Sequence, residues 1–436
     1  MKELDTLTTK LIEKHIDKID RNDFISLFDE IISEHDVKEC EKVFNAMVEA
    51  DIEEANIEEV KKTYYKNHRI KQIKCYNVGF GDCFLCKDNN ENGPKMLVDC
   101  GKHRSFNNLA VLNDVYDELI MAKQKNLMIS HLHQDHYNGV SQLLATHQDL
   151  KFDNVYLPNY ISNGSLELYA STIFLDPNSD LAREARYVLQ IPGILQKNCT
   201  PNARIYFLSE GGKAFNSLCV FEALLPKNNR ERLWNENIEP IREFCERYKE
   251  ILGYVENESG SVTVSINLEE SISELVEKFY NQASEKYERV SKSKINELKK
   301  RFKTNRNELS LAFHELGIED SQNVLFLGDA EPTDIKHLAD NNKLKNEYCF
   351  VKVQHHGTKN YFYNKLPKAN WFVISNGGNR QSWEITKDYD YQYSKNTNFI
   401  CTNNCNCEKF KNNIICDAYK KLNTKCGVNL SCTVKI

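Results

Sequence analysis

The 436-residue sequence predicts a mixed α/β fold, with an acidic helical module ahead of it and a helical insertion inside it. Three observations predict this. From Ile70 onward, short apolar runs bounded by Gly, Asn and Asp alternate with stretches of helical period. Residues 1–66 carry helical period alone. Residues about 226–306 interrupt the strand pattern with long charged helices.

In chain order, Leu4, Leu7, Leu11, Ile16 and Ile19 recur at helical steps. So do Phe24, Leu27, Phe28, Ile31 and Ile32, then Val43, Phe44, Met47 and Val48. Residues 1–66 hold 10 Lys/Arg against 18 Asp/Glu; the rest of the chain holds 47 against 45, so the formal net charge of −6 arises in the module. Such a module predicts docking of a protein partner, oligomerisation, regulation, or a cap that stabilises the domain. Strands are expected at 73–76, 83–86, 96–98, 127–129 and 155–157, with a helix over 106–124. This alternation fits half of an αββα sandwich. Strands follow at 203–208 and 218–225. Helices are expected over 238–251 and 275–302, with a strand at 262–266. Residues 286–306 hold nine Lys/Arg and two Asp/Glu, a local excess that predicts either phosphate contact or a solvated helix face. Leu309–Phe313 returns to a strand and leads to strands over 324–327, 350–353 and 371–374.

Hydrophobic content of 41% and charged content of 28% fit a globular chain. No 18-residue apolar stretch is present, so no membrane span is expected. The first residues, Met1-Lys2-Glu3-Leu4-Asp5, show no apolar signal core, and 15 cysteines without one predict reduced thiols in a cytoplasmic setting. Cys401, Cys405, Cys407 and Cys416, with Cys426 and Cys432 beyond, form an irregular cluster that predicts either a structural zinc or free thiols.

The chemistry is densest at His131-Leu132-His133-Gln134-Asp135-His136. Four metal-ligand side chains lie within six residues, directly after the apolar run Leu127-Met128-Ile129. His131 and His133 share one face of an extended segment, while Asp135 and His136 come off the following turn. That spacing offers two ligands to one metal and two to its neighbour. Mixed imidazole and carboxylate donors suit zinc, manganese or iron.

His-x-His-x-Asp-His resembles the motif of the metallo-β-lactamase fold superfamily. The flanking segments look most like the hydrolase domain of ComEC-type competence proteins and their stand-alone relatives. They are Asn77-Val78-Gly79-Phe80-Gly81-Asp82, Met96-Leu97-Val98-Asp99-Cys100-Gly101, Leu325-Phe326-Leu327-Gly328-Asp329-Ala330-Glu331 and Val351-Lys352-Val353-Gln354-His355-His356-Gly357-Thr358. They occur in the family's order over residues 71–400, within a hydrolase domain expected over 70–436.

The resemblance implies an αββα sandwich around two divalent ions, zinc or manganese. His131 and His133 would bind the first ion, and Asp135 and His136 the second. Asp329 would bridge them, and His355 or His356 would complete the second site. Asp99, and similarly Asp82, would support the ligands from behind. Lys352 would either offset phosphate charge or sit on an edge-strand surface. A metal-bound hydroxide would attack the substrate, with Asp135 and Asp329 as the catalytic carboxylates. The family's third histidine has no counterpart. Its Gly-His-Pro, expected after Asn376-Gly377-Gly378-Asn379-Arg380, is replaced by Gln381-Ser382-Trp383, and Arg380 stands as a candidate substrate contact. The expected activity is that of a phosphodiesterase or nuclease acting on nucleic acid or a nucleotide. The alternatives are a hydrolase of small esters, lactones or phosphorylcholine-type substrates, and a partner-binding effector with regulated hydrolase activity.

Overall fold

The computed structural model describes residues 68–102, 109–161, 164–227, 238–256, 262–264, 271–286, 291–317, 319–376, 398–402 and 431–436. The acidic helices expected over 1–66 lie outside these residues, as do Arg380 and Cys405, Cys407, Cys416 and Cys426.

Strands β1 (Gln72–Tyr76), β2 (Cys83–Lys87) and β3 (Lys95–Cys100) lead into helix α1 (Leu109–Ile120). Next come β4 (Lys125–Met128), α2 (Gln134–Thr146) and β5 (Phe152–Pro158). Helices α3 (Ser165–Leu175) and α4 (Asp180–Gln196) precede β6 (Cys199–Leu208), β7 (Lys213–Phe215) and β8 (Val220–Ala223). The inserted stretch contains α5 (Glu239–Ile251), β9 (Val255–Glu256), β10 (Val262–Val264), α6 (Ile272–Lys286) and α7 (Lys292–Glu308). Last come β11 (Phe313–Glu315), β12 (Val324–Phe326), α8 (Pro332–Asp340), β13 (Glu347–Lys352), β14 (Lys368–Ile374), β15 (Asn398–Cys401) and β16 (Ser431–Lys435).

These elements form the αββα sandwich that the sequence predicts. One sheet runs β16-β1-β2-β3-β4-β5-β6-β10-β9 and the other β15-β14-β13-β12-β11-β8-β7. Strands β3 to β6 pair in parallel, and so do β12 to β15. The period of two along each strand sends alternate side chains to opposite faces. Phe84, Met96, Val98 and Met128 of the first sheet meet Phe313, Phe326, Phe350 and Val373 of the second between the sheets. Leu97, Leu127, Val155 and Phe207 point outward under α1 to α7. Leu325, Val351 and Phe372 point outward on the other side, under Ile335 and Leu338 of α8.

The insertion is more than a helical excursion. Its strand β10 pairs with β6 and extends the first sheet. The segment expected as a strand from Leu309 to Phe313 reaches strand geometry only at Phe313. Upstream of it, the Leu311 N–H donates to the Ser130 carbonyl at 2.6 Å and ties the chain to the opposite sheet. That tie lies at the C-terminal ends of both sets of parallel strands, where open α/β sheets place their sites.

Candidate metal centre

Five chain segments converge at those strand ends: the turn after β1, the end of β3, the β4–α2 turn, the turn after β12 and the turn after β13. Helix α2 begins with His133 as its N-cap residue, which places Asp135 and His136 in its first turn. The helix seats on bare backbone. A Cβ on Gly101 would lie 1.6 Å from the Asp135 carbonyl oxygen, and one on Gly139 would lie 2.4 Å from that of Cys100.

Asp329 is the centre of the arrangement. It is buried, and its backbone N–H donates to Ser310 Oγ at 3.1 Å. Its Oδ2 lies 3.5 Å from His131 Nε2, 3.6 Å from His355 Nδ1 and 3.6 Å from His356 Nε2, and its Oδ1 lies 3.5 Å from His136 Nε2. Two sets of donor atoms, each within 4.8 Å of one another, share this carboxylate: His131, His133 and Asp329 in one; Asp82, His136, Asp329 and His356 in the other. Asp135 borders the second set, with Oδ2 3.4 Å from His356 Nε2, but belongs to neither.

Both histidines after β13 therefore face Asp329. Consecutive left-handed backbone at His355 (φ 44°) and His356 (φ 56°) makes this possible, since regular strand geometry would send them to opposite sides. The His355 ring stacks on Tyr361 (centroids 3.5 Å apart, planes 6° apart), and the His356 ring packs on Phe80 at 4.2 Å.

Behind the donors lies a layer of buried carboxylates. Asp99, in left-handed backbone with φ 55°, accepts from the Ser130 N–H at 2.6 Å. Its other oxygen lies 2.8 Å from His136 Nδ1. With Nδ1 occupied, His136 turns Nε2 toward Asp329. Asp82 Oδ1 lies 3.3 Å from His356 Nδ1 and also takes the Ser375 hydroxyl, while its Oδ2 pairs with Lys352.

Lys352 corrects the edge-strand expectation for that residue. Strand β13 is interior to its sheet, between β12 and β14, and the Lys352 side chain is 1% exposed. It does not lie on an edge-strand surface. Its ammonium pairs with Asp82 and donates to the Gly328 carbonyl at 3.1 Å. The apolar neighbours of Lys352 along β13 gave no sign of this buried ion pair.

Charge balance tests whether metal ions fit. Asp82, Asp99 and Asp329 are all buried, and Lys352 is the buried lysine among them. Burial opposes charge on the His356 ring, yet Asp329 and Asp82 outweigh it and push its pKa up to about 9. His136 is likewise buried and likewise raised by Asp329, Asp99 and Asp82. His131 is held well below its ordinary value by burial and by His136. Burial disfavours charge on Asp329 too, but the surrounding imidazoles hold its pKa well below the carboxylate range. The pocket therefore draws positive charge to where its donors point. His136 Nε2, His356 Nε2, His355 Nδ1 and Asp329 Oδ1 are buried without a hydrogen-bond partner. Buried polar atoms left bare carry a large cost, and divalent cations would remove it. The residues fit two metal ions.

The Cys401–Cys416 cluster has only Cys401 among the described residues; it lies in β15, while Cys432 lies in β16 and pairs in register with Cys75.

No family model matches the chain, and no curated protein matches it. Among solved structures the chain is similar to a mutant of the CmlA beta-hydroxylase, with 10% identity over 94% of this chain and 62% of that one and a TM-score of 0.34. A protein of unknown function from Enterococcus faecalis V583 gives 10% identity over 70% and 54%, with a TM-score of 0.27. A long-form RNase Z from yeast gives 11% over 76% and 37%, with a TM-score of 0.24. The chain spans less than two thirds of the length of each of these proteins.

Proposed function

We propose that this chain is a metallo-β-lactamase-fold hydrolase that uses two divalent ions, zinc or manganese, to cleave phosphodiesters. The observation that carries the reading is the convergence of two buried donor sets on the single carboxylate of Asp329. The order of the motifs around it supports the choice of a phosphodiester.

His131, His133 and Asp329 would hold one ion. His136 and His356 would hold the other through Nε2, with Asp329 shared and Asp135 alongside. Asp82 supports the second set from behind, because its oxygens are engaged by Lys352 and Ser375. His355 Nδ1 faces the same Asp329 oxygen as His131. Two ions so placed would acidify a shared water and stabilise charge on the phosphoryl oxygens.

The protein's own groups do the rest. Asp329 would orient the attacking water by accepting its hydrogen bond. Asp135 is half-buried at the rim and is held ionised by His356 and His136 against the cost of its burial. In this reading Asp135 would accept the water's proton. Asp99 and Asp82 keep the His136 and His356 rings in one orientation.

Elemental analysis of protein purified without chelators tests the reading, together with turnover of bis-p-nitrophenyl phosphate and p-nitrophenyl acetate under added zinc or manganese. About two ions per chain and phosphodiester turnover lost in Asp329→Asn are expected. Fewer than about one ion per chain, or carboxyl-ester turnover without phosphodiester turnover, would overturn it.

A further inference from the structure

We propose that the exposed basic face of α7 is the track along which a nucleic-acid strand enters the metal centre. This identifies the substrate class of the site and rests on the phosphodiesterase reading above.

Helix α7 packs on α3 through Leu298 and Phe302, and Lys299 adds an ion pair to Asp176 at 3.1 Å. Lys292, Asn296, Lys300, Lys303 and Asn307 follow one another at steps of four, four, three and four residues, so they share one face of the helix. Lys292, Lys300 and Lys303 are exposed. The helix's two acids, Glu297 and Glu308, fall off this stripe by the same period. From Lys292 to Asn307 the stripe is about 22 Å long, at about 1.5 Å per residue. Backbone phosphates follow one another at about 3.4 Å per strand along a duplex axis, so that length spans several.

The stripe ends at the reaction site. Asn307 Nδ2 donates to Glu331 Oε1 at 2.9 Å, and Glu331 lies two residues beyond Asp329. Asn307 also meets Tyr361, whose ring stacks on His355. Three residues after Asn307, Ser310 holds the Asp329 backbone. A chain of direct contacts therefore joins the basic helix face to the bridging carboxylate. A solvated charge run has no reason to end there. A small ester would gain nothing from charges up to about 22 Å away, whereas a polyanion gains counterion release at each lysine it meets.

The test compares the wild type, the triple variant Lys292→Glu/Lys300→Glu/Lys303→Glu, and Lys123→Glu as a control. Lys123 is exposed ahead of β4, at the opposite end of that strand from the metal centre. Labelled 20-nucleotide DNA and RNA, single-stranded and duplex, give Kd by anisotropy across a salt series. The same strands and bis-p-nitrophenyl phosphate give kcat/KM. The triple variant should weaken strand binding at least tenfold. It should flatten the slope of log Kd on log salt by about two, at about 0.7 per lost phosphate contact on a single strand. It should also lower the ratio of strand to small-substrate kcat/KM at least tenfold, while the control matches wild type. Equal strand binding and an equal ratio would overturn the track and leave the phosphodiesterase reading standing. Failure of every protein to cleave any phosphodiester would overturn that reading, and the anisotropy series would still decide the track. Lysine-dependent binding to phosphatidylserine vesicles that the strands do not displace would assign the face to a membrane surface and overturn the proposal.

Discussion

His356 illustrates how strongly the buried charges at this site are linked. Its pKa of about 9, against an ordinary 6.5, means that the folded metal-free protein binds a proton there more tightly than the unfolded chain does. The resulting stability is fully present below about pH 6.5 and is lost as pH rises through about 9. It amounts to at most about 3 kcal/mol at about 1.4 kcal/mol per unit. Metal reverses the dependence, because ions compete with the same proton and bind better as pH rises. Thermal melts from pH 6 to 10 with and without chelator should therefore slope in opposite directions. Parallel slopes would mean that His356 does not share its donor atom between proton and metal. The Asp82–Lys352 pair makes a second prediction. Removing one partner of a buried pair leaves a bare charge, so Lys352→Ala should cost about 3–5 kcal/mol in denaturant unfolding. The double variant Asp82→Asn/Lys352→Met should recover part of that loss. If the single variant were as stable as wild type, the pair would not be holding this layer together.

At the scale of elements, the site depends on how closely the start of α2 lies against the turn after β3. Gly139 faces the Cys100 carbonyl from inside the helix, so Gly139→Ala must push the first turn of α2 outward. The expected cost is about 1–3 kcal/mol from overpacking. Metal affinity should fall as well, since Asp135 and His136 ride on that turn; calorimetric metal titration reads it. Unchanged affinity at reduced stability would show that the ligands move independently of the helix. The same geometry explains what could be read beforehand. His131, His133, Asp135, His136, Asp329, His355 and His356 all lie just past apolar strand cores, where local sequence signals both the strand and its end. The burial of Lys352 and its pairing with Asp82 depend on strands hundreds of residues apart meeting, and no local pattern carries that. Helix α3 is buried on nearly every side and has no polar face, so the sequence between β5 and β6 carries no helical period to mark it. Strand β16 is equally silent, because its five residues make sense only beside β1.

At the scale of the molecule, the candidate centre lies across the seam of the sandwich. Asp99 and His131–His136 belong to the first sheet; Asp329, Lys352 and His355–His356 belong to the second. Among the described residues, direct polar ties across the seam there include Leu311 N–H to the Ser130 carbonyl, Asp82 to Ser375, Lys352 and His356, and Asp135 to His356. Ions held jointly by His131 and His136 on one side and by Asp329 and His356 on the other would clamp the two sheets together. A ligand at about 100 times its Kd adds about 2.7 kcal/mol to the folded state. Two such ions would add about 5 kcal/mol, and in a domain of roughly 370 residues 1 kcal/mol moves Tm by roughly 1–2 °C. Chelation should therefore lower Tm by roughly 5–10 °C, and zinc or manganese should restore it. The clamp further requires that hydrogen exchange on chelation rise in both sheets together, at the ends of β4 and of β12 and β13. If exchange rose on one side alone, the ions would be bound by one sheet and the shared role of Asp329 would fail.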